Sequence, residues 1–174
     1  MFLDLTKKRR SIRKFTDEIV TDKEIKEIFE GALRAPTAKN RDVMKYLLIR
    51  DKDSLEKLSN FKSSGAEFLK GANVAIVVMS DKELADNTFH QDACIAASYI
   101  QLAAVDLGLA STWANVTNAK NKDGISSQDY LHELLDLDEK LNVECIIGLG
   151  HGAEEKSEKK AWDYNSHVKE YIIK

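Results

Sequence analysis

The amino-acid sequence predicts a single domain over residues 1–174, of the α+β or α/β class, with four or five strands. Amphipathic helical stretches alternate with short apolar runs along the whole chain, and neither repeats nor a linker divides them. The run 73–79 is apolar, which is typical of a strand buried on both faces. The stretch 89–107 is apolar on most sides of a helix, so it predicts a helix that is central or lies at a subunit interface.

The N-terminal part predicts two helices separated by a basic run. Residues 3–10 favour a short helix that leads into this run. Thr21 and Glu24 have the spacing of a capping box, and apolar side chains then recur at helical spacing over 22–34. Pro36 is the only proline and is expected to end that helix, so a loop of small and polar residues follows.

The remaining elements follow from the same signals. Asp51 or Asp53, and later Ser126 or Ser127, are expected to cap two further helices. Gly108 is expected to stop the long apolar helix, because glycine adopts the left-handed conformation common at helix ends. The other predicted strands are 44–50, 110–116 and 142–149, the last of them closed by Gly148 and Gly150.

Positive charge is concentrated near the N-terminus. The chain holds 26 Lys and Arg against 29 Asp and Glu, yet six of the eight residues from Lys7 to Lys14 are basic. Ser11 lies between guanidinium groups, an arrangement that suits one phosphate held by fork-shaped donors. A nucleic-acid surface usually has several more basic clusters, and none follows in this sequence. The run therefore favours a phosphate-bearing small ligand over a nucleic-acid partner.

Composition argues against several other classes of protein. An apolar fraction of 43% and a charged fraction of 32% are typical of a soluble globular chain. No apolar run approaches the ~20 residues of a membrane span, and the first residues lack the pattern of a secretory signal. Cys94 and Cys145 lie far apart in apolar stretches and are interpreted as reduced core thiols, which favours a cytoplasmic location. The four histidines are scattered, so no metal site is predicted.

Four pieces of the sequence recur in a characteristic order. They are Arg9–Phe15, Ala35–Asn40, the alanine-rich helix running into Gly108–Trp113, and the late strand that ends Ile146–Gly150. Together, over nearly the whole chain, they resemble the nitroreductase family of FMN-dependent oxidoreductases in its short form. The resemblance implies an α+β fold with a mixed or antiparallel sheet of four to five strands flanked by helices. It also implies an intertwined homodimer, with FMN bound between the subunits and a C-terminal strand lent to the partner, which would cover the apolar patch Tyr171–Ile173.

Site residues are implied by the same resemblance. The arginine–serine motif matches the segment that binds the FMN phosphate, the ribityl chain and the N1/O2 edge of the ring, with Arg10 contributing chiefly main chain. The loop after the first amphipathic helix matches the one donated by the other subunit, and the segment after the alanine-rich helix lies along the ring near N5. The implied cofactor-binding residues are Arg9, Arg10, Ser11, Arg13, Pro36, Thr37, Ala38, Asn40, Thr112, Trp113, Ala114 and Asn115, with Lys159 or Lys160 as a late basic contact to the phosphate.

The sequence departs from the family's pattern after Asn40. The family's loop usually continues Asn-x-Gln-Pro-Trp, whereas Asp42, Val43 and Met44 stand at those positions here. The carboxylate would place negative charge where the family has a neutral amide. This departure bears on the pose of the loop and on the substrate pocket, and it leaves the implied phosphate site in place.

The expected function is hydride transfer from NADH or NADPH through FMN to a nitroaromatic, a quinone or a similar small acceptor, by a ping-pong mechanism. No side chain is expected to act as a catalytic acid or base, because the cofactor carries the chemistry. No G-x-G-x-x-G fingerprint occurs, so the sequence selects neither nicotinamide. The alternatives are a flavin protein of the same fold with another role, such as reductive dehalogenation, flavin breakdown or flavin storage, and a nucleic-acid binder that uses the basic run.

Overall fold

The computed structural model describes residues 1–173, in which helices pack on both faces of one four-stranded sheet. The strands are β1 (Met44–Ile49), β2 (Val74–Asp81), β3 (Ala110–Asn115) and β4 (Leu141–Gly150). The helices are α1 (Phe2–Lys8), α2 (Asp22–Ala32), α3 (Lys52–Leu58), α4 (Lys82–Ala85), α5 (Phe89–Asp106), α6 (Ser127–Leu135) and α7 (Tyr164–His167). Short 3-10 turns lie at Ala38–Asn40, Glu67–Gly71 and Asp86–Thr88.

The sheet has the order β1-β2-β4-β3, and every neighbouring pair runs antiparallel. The predicted α+β class is therefore confirmed, with four strands rather than five and no parallel pair among them. All eight residues of the central strand β2 are buried, as its apolar run predicted. Strands β1 and β3 form opposite edges of the sheet, three strand spacings or about 14 Å apart.

Two helical layers cover the sheet. One layer contains α2 and α5, and the other contains α3 and α6. The alanine-rich face of α5 is buried against α2 and the sheet, as expected for a helix that is apolar on most sides. A Cβ added to Gly31 of α2 would lie 3.3 Å from the Ala103 Cβ of α5, so small residues allow the two helices to approach closely.

The helix caps lie where the sequence predicted them. Thr21 accepts the backbone N–H of Glu24, while the Glu24 carboxylate accepts the Thr21 N–H at 2.7 Å. Asp51 caps α3 and Ser126 caps α6, each by accepting the backbone N–H of the residue three positions later. Gly108 follows α5 with a φ of 76°, the left-handed conformation predicted for it. These interactions satisfy groups that a helix end leaves without intrahelical partners.

Strand β4 continues through Gly148 and ends at Gly150, so only the second of the two glycines expected to close it stands at the strand end. A Cβ added to Gly148 would lie 2.6 Å from the Phe68 ring, and one added to Gly150 would lie 2.0 Å from the Asn73 Oδ1. Close approach of neighbouring side chains therefore favours glycine at both positions, and Gly150 is also the last residue of the strand.

Exposed apolar side chains lie on several parts of the chain, among them α5 and the C-terminal tail. On the outer face of α5, Ile95 is 37% exposed and Tyr99 is 40% exposed. The tail after β4 lies on the surface, and the predicted terminal patch Tyr171–Ile173 is at least 80% exposed at each residue. Both parts therefore present large apolar side chains to solvent in the single chain.

We expect Gly148→Ala to lower the free energy of unfolding by about 1–3 kcal/mol, because the added methyl group overlaps the Phe68 ring. Gly71→Ala is the matched control, since a Cβ there meets nothing within 4 Å and its φ is not in the left-handed region. That variant should be neutral or slightly stabilising. Urea denaturation of both variants checks the prediction, and equal stabilities would contradict the packing at Gly148.

Candidate cofactor-binding site

Residues 9–16, here called the basic strip, lie extended against the start of β3. The Ile12 N–H donates to the Ser111 carbonyl at 3.1 Å, and Ser11 forms a parallel bridge with Ser111. The Thr112 hydroxyl donates to the Ile12 carbonyl. These bonds place the arginine–serine motif beside the first residues of β3.

The segment that follows β4 bonds to the strip from another direction. The Thr16 N–H donates to the His151 carbonyl, and the Ala153 N–H donates to the Lys14 carbonyl, each at 2.9 Å. The strip is therefore bonded both to β3 and to the residues after β4. Backbone bonds on both sides fix its path independently of any ligand.

Two charged residues of the tail also bind the strip. The Glu154 carboxylate accepts the Arg13 N–H at 2.7 Å, and this bond, with a smaller contribution from Lys156, lowers the pKa of Glu154 below its usual value. The Lys156 ammonium donates to the Ser11 carbonyl at 2.6 Å. Glu154 and Lys156 therefore hold the arginine–serine motif in place, although the composition of the tail is typical of solvated surface.

The two lysines expected to reach the phosphate lie farther along the tail. The Lys159 N–H donates to the Lys7 carbonyl at 2.9 Å, and its Nζ lies 4.6 Å from the centre of the Trp162 ring. Lys160 is exposed. The sequence analysis missed Lys156, the tail lysine whose ammonium contacts the motif, because nothing in a charged run distinguishes one lysine from its neighbours.

The three arginines of the motif are used differently. The Arg10 Nη1 donates to the Ser157 carbonyl, so its side chain serves the fold as well as its main chain. Within residues 1–173, the guanidinium groups of Arg9 and Arg13 make no hydrogen bond and have no carboxylate within 4 Å. Two cationic forks that the described chain does not neutralise are available to an anionic ligand.

The outer edge of β3 continues the site beyond the strip. Because the Ser111 carbonyl faces the strip, alternate residues of the strand, Trp113 and Asn115, present their backbone N–H groups to the same free edge. The Val116 N–H points the opposite way, toward β4, and donates to the Glu144 carbonyl at 3.2 Å. This direction is the one that alternation along the strand requires. Ala114 is buried in the layer that contains α3 and α6. The segment expected to lie near N5 therefore offers two outward backbone donors close to the arginines.

The loop of residues 36–40, here the 36–40 loop, lies at the opposite edge of the sheet, just before β1. The Thr37 hydroxyl donates to the Arg41 carbonyl at 2.7 Å. Lys39 and Asn40 both adopt left-handed backbone conformations, with φ of 57° and 53°. The width of the sheet and helix α5 stand between this loop and the basic strip, so one chain does not bring the two halves of the predicted site together.

The residues that depart from the family's loop pattern have clear places in the fold. Val43 is fully buried and Met44 begins β1. The Asp42 side chain is 93% exposed and lies 3.8 Å from the Lys45 ammonium, so its carboxylate faces solvent in this chain.

Burial raises the pKa of the Tyr46 hydroxyl to about 12, and the negative charge of Asp42 makes a smaller contribution in the same direction.

A cluster of polar side chains surrounds the buried carboxylate of Glu144, where β4 meets the N-terminal half of α5. The register of β4 against β2 shifts at Glu144, which is the extra residue of a β-bulge. Its carboxylate contacts the His90 Nδ1 at 2.5 Å, the Thr117 hydroxyl at 3.3 Å and the Cys94 thiol at 3.6 Å. The sequence analysis missed this cluster, since a bulge that brings a strand residue to a helix is not visible in the linear pattern.

Both cysteines are free thiols, as predicted. Burial raises the pKa of Cys94 to about 11, and the Glu144 charge and the thiol–carboxylate bond add to the shift. Burial also raises the pKa of Cys145 well above its usual value. Thiols in this state are poor nucleophiles, so neither cysteine is suited to covalent catalysis.

Within residues 1–173, no group of three or more His, Cys, Asp and Glu side chains is arranged to hold a metal ion. None of the helices in that range has both the length and the apolar character that crossing a bilayer requires.

Comparison with known proteins gives a consistent family assignment. The model of the Nitroreductase family matches residues 6–66 and 60–151. An Archaeoglobus fulgidus protein named as an NADH dehydrogenase/NAD(P)H nitroreductase is 33% identical over 151 residues, covering 85% of this chain and 83% of its own length. A solved FMN-dependent nitroreductase from Clostridium difficile R20291 has a TM-score of 0.92 at 39% identity, over 98% of this chain and 99% of that chain. A Desulfovibrio desulfuricans nitroreductase solved in complex with FMN has a TM-score of 0.81 at 28% identity, over 99% and 98% of the two chains.

We expect Glu144→Gln to make Cys94 more reactive toward iodoacetamide. Removing the negative charge beside the thiol lowers its pKa, so about 3–10 times more thiolate should form at pH 8.5 if the pKa falls by about half a unit to one unit. Peptide-level mass spectrometry gives the alkylation rate. Glu133→Gln on the exposed side of α6 is the control and should leave the rate unchanged. Equal rates for the two variants would contradict the contact between Glu144 and Cys94.

Proposed function

The chain belongs to the nitroreductase family and is an NAD(P)H-dependent oxidoreductase, and we propose that it uses bound FMN to reduce a nitroaromatic, a quinone or a similar small acceptor. Relatives named as NAD(P)H nitroreductases, and solved neighbours that are FMN-dependent or contain FMN, support this proposal. The observation that carries it is the free edge of β3. There, the strip that carries Arg9 and Arg13, whose guanidinium groups have no partner in residues 1–173, pairs with the strand whose Trp113 and Asn115 N–H groups point outward.

The donor set at this edge fits the polar groups of FMN. A phosphate needs charge-assisted donors, which the Arg9 guanidinium would supply, with Ser11 two residues later in the strip and Arg13 left to face the ring. The outward N–H groups of Trp113 and Asn115 are two residues apart on one strand, about 7 Å, a spacing that suits the polar edge of a planar ring. We therefore assign the phosphate end to the basic strip and the ring to the edge of β3.

When bound, FMN would supply the hydride chemistry that no side chain of this site provides. The protein's own part is orientation and charge. The positive charge of Arg13 would stabilise negative charge on the nearby edge of the ring. The nicotinamide and the acceptor would occupy the same open face in turn, which gives ping-pong kinetics.

We infer that the complete site forms between two copies of the chain. One copy would contribute the basic strip and the edge of β3, and its partner would contribute the 36–40 loop. The half-exposed Ile95 and Tyr99 of α5, together with the exposed tail, provide the apolar surface that a second copy would cover. A homodimer thus unites two half-sites that the sheet keeps apart within each chain.

We also propose that the protein is cytoplasmic. Free thiols at Cys94 and Cys145 support a cytoplasmic location, where thiols stay reduced.

The alternative function as a nucleic-acid binder is less well supported, because the basic strip is bonded to two other segments and Arg10 is already bound to a tail carbonyl. A duplex surface needs such groups free to meet successive phosphates.

We expect the purified protein to be yellow, to release FMN when it is denatured, and to lose its visible absorbance when NADH or NADPH is added without oxygen. An absorbance spectrum, followed by anaerobic titration with each nicotinamide, makes the measurement. A colourless protein with no affinity for added FMN would defeat the proposal. Bound FMN that neither nicotinamide reduces would favour a flavin-storage role instead.

We expect Arg9→Ala to weaken FMN binding by roughly 2–3 kcal/mol, or roughly 30- to 150-fold in Kd, the scale for a lost charge-assisted contact. The melting temperature of the FMN-free protein should hardly change, since the Arg9 guanidinium has no partner within the described chain. Arg34→Ala is the control, because it removes an exposed arginine paired only with Glu30 on α2. Quenching of flavin fluorescence gives Kd, and the same Kd for both variants would refute the assignment of Arg9.

A further inference from the structure

A buried carboxylate joins the 36–40 loop to helix α5. Asp92, in the first part of α5, is 3% exposed. Its Oδ1 accepts the backbone N–H of Ala38 at 2.9 Å, and its Oδ2 accepts the Thr88 hydroxyl at 3.0 Å. No Lys, Arg or His nitrogen in residues 1–173 lies within 4 Å of this carboxylate. A charge held in this way must be stabilised by its hydrogen bonds and by the N-terminal end of the helix.

The bond from Ala38 is the stronger of the two. The Thr88 hydroxyl has one hydrogen and lies within bonding distance of two acceptors, the Asp92 carboxylate and the Ala85 carbonyl at 2.8 Å. The Ala38 N–H has a single acceptor, which is Asp92. The loop is thus the main partner of the carboxylate, and losing that partner would leave a buried charge poorly satisfied.

The loop needs an external restraint because its conformation is unfavourable. Lys39 and Asn40 are consecutive residues other than glycine in the left-handed region, which side chains disfavour. The bond from Ala38 to Asp92 fixes the start of this turn. The Arg41 Nη1, which donates to the Leu84 carbonyl at 2.6 Å, fixes its end. Release of either end would leave the two strained residues to the bonds within the loop alone, such as that from the Thr37 hydroxyl to the Arg41 carbonyl.

We propose that Asp92 is a positioning residue: through the Ala38 N–H, its carboxylate holds the 36–40 loop in the shape that meets the cofactor of the partner subunit. This inference rests on the proposed function for the role of the loop, while the restraint itself rests on the contacts of Asp92. Asp92 does not touch the cofactor. Its effect is to keep the loop ready to bind, so that binding does not have to order it.

Two measurements on Asp92→Ala test the two parts of this inference. In the FMN-free protein, trypsin should cut after Lys39 and Arg41 about tenfold faster or more, since one charge-assisted bond is lost. The Kd for FMN should rise by about tenfold or more for the same reason. Asp92→Asn keeps an oxygen acceptor for the Ala38 N–H and should stay within about threefold of the wild type in both assays.

Two further variants separate restraint from general stability. Asp51→Ala removes the carboxylate that caps α3, far from the loop, so it should lower stability without changing loop cleavage or Kd. Ala38→Pro removes the N–H donor while leaving Asp92 in place, and it serves if Asp92→Ala does not fold. Thr37 already has the extended backbone (φ −123°, ψ 156°) that a following proline requires. This variant should increase cleavage and Kd as Asp92→Ala does.

The outcomes distinguish this inference from the proposed function. Wild-type cleavage and wild-type Kd in both Asp92→Ala and Ala38→Pro would overturn it. Faster cleavage with an unchanged Kd would keep the restraint and overturn its role in binding. A wild-type protein with no affinity for FMN would defeat the proposed function and with it the cofactor role of Asp92, and trypsin cleavage would still decide whether Asp92 restrains the loop.

Discussion

The order of strands in the sheet is the constraint on which the rest of the site depends. Strands β2 and β4 are central, so β1 and β3 form opposite edges of the sheet. Helix α5 packs with α2 against one face of that sheet. The 36–40 loop precedes β1, whereas the basic strip lies against β3. The two segments proposed to form the cofactor site therefore lie at opposite edges of the sheet within one chain. In the proposed homodimer, a second copy of the chain would give both halves a common ligand, and the exposed apolar side chains of α5 and the tail would give that copy a place to bind.

Three carboxylates hold segments around the proposed site through hydrogen bonds within the chain. Glu154 accepts a backbone N–H of the basic strip, Asp92 accepts one from the 36–40 loop, and Glu144 joins the bulge of β4 to α5 and to the residues after β3. Acceptors that are satisfied within the fold leave the cationic groups of Arg9 and Arg13 free for a ligand. This separation of roles favours ligand binding, because a rigid main chain lowers the free-energy cost of binding an anion between fixed donors.

Local signals in the sequence predicted much of this fold. The Thr21 capping box, the stop at Gly108, the buried run of β2 and the apolar helix α5 depend on neighbours within one or two turns, and all are present. The membership of the family followed from motifs spread over the whole chain. Asp92, Glu144 and Lys156 escaped notice because their partners lie far away in sequence, at Ala38, His90 and Ser11. Single polar residues in an apolar helix, a strand or a charged tail have no local pattern that reveals such partners.

Mixed dimers test most directly whether two chains share each FMN site, as proposed. One chain would carry Arg9→Ala and a different tag from its partner, which would carry Thr37→Val with Asn40→Gly in the loop. In the purified mixed dimer, one site combines both defects and the other combines two intact halves. A shared site predicts half of the wild-type FMN content, bound with wild-type affinity, although each parent homodimer binds weakly. If no site in the mixed dimer regains wild-type affinity, each chain binds FMN with its own loop and its own arginines, and the account is wrong.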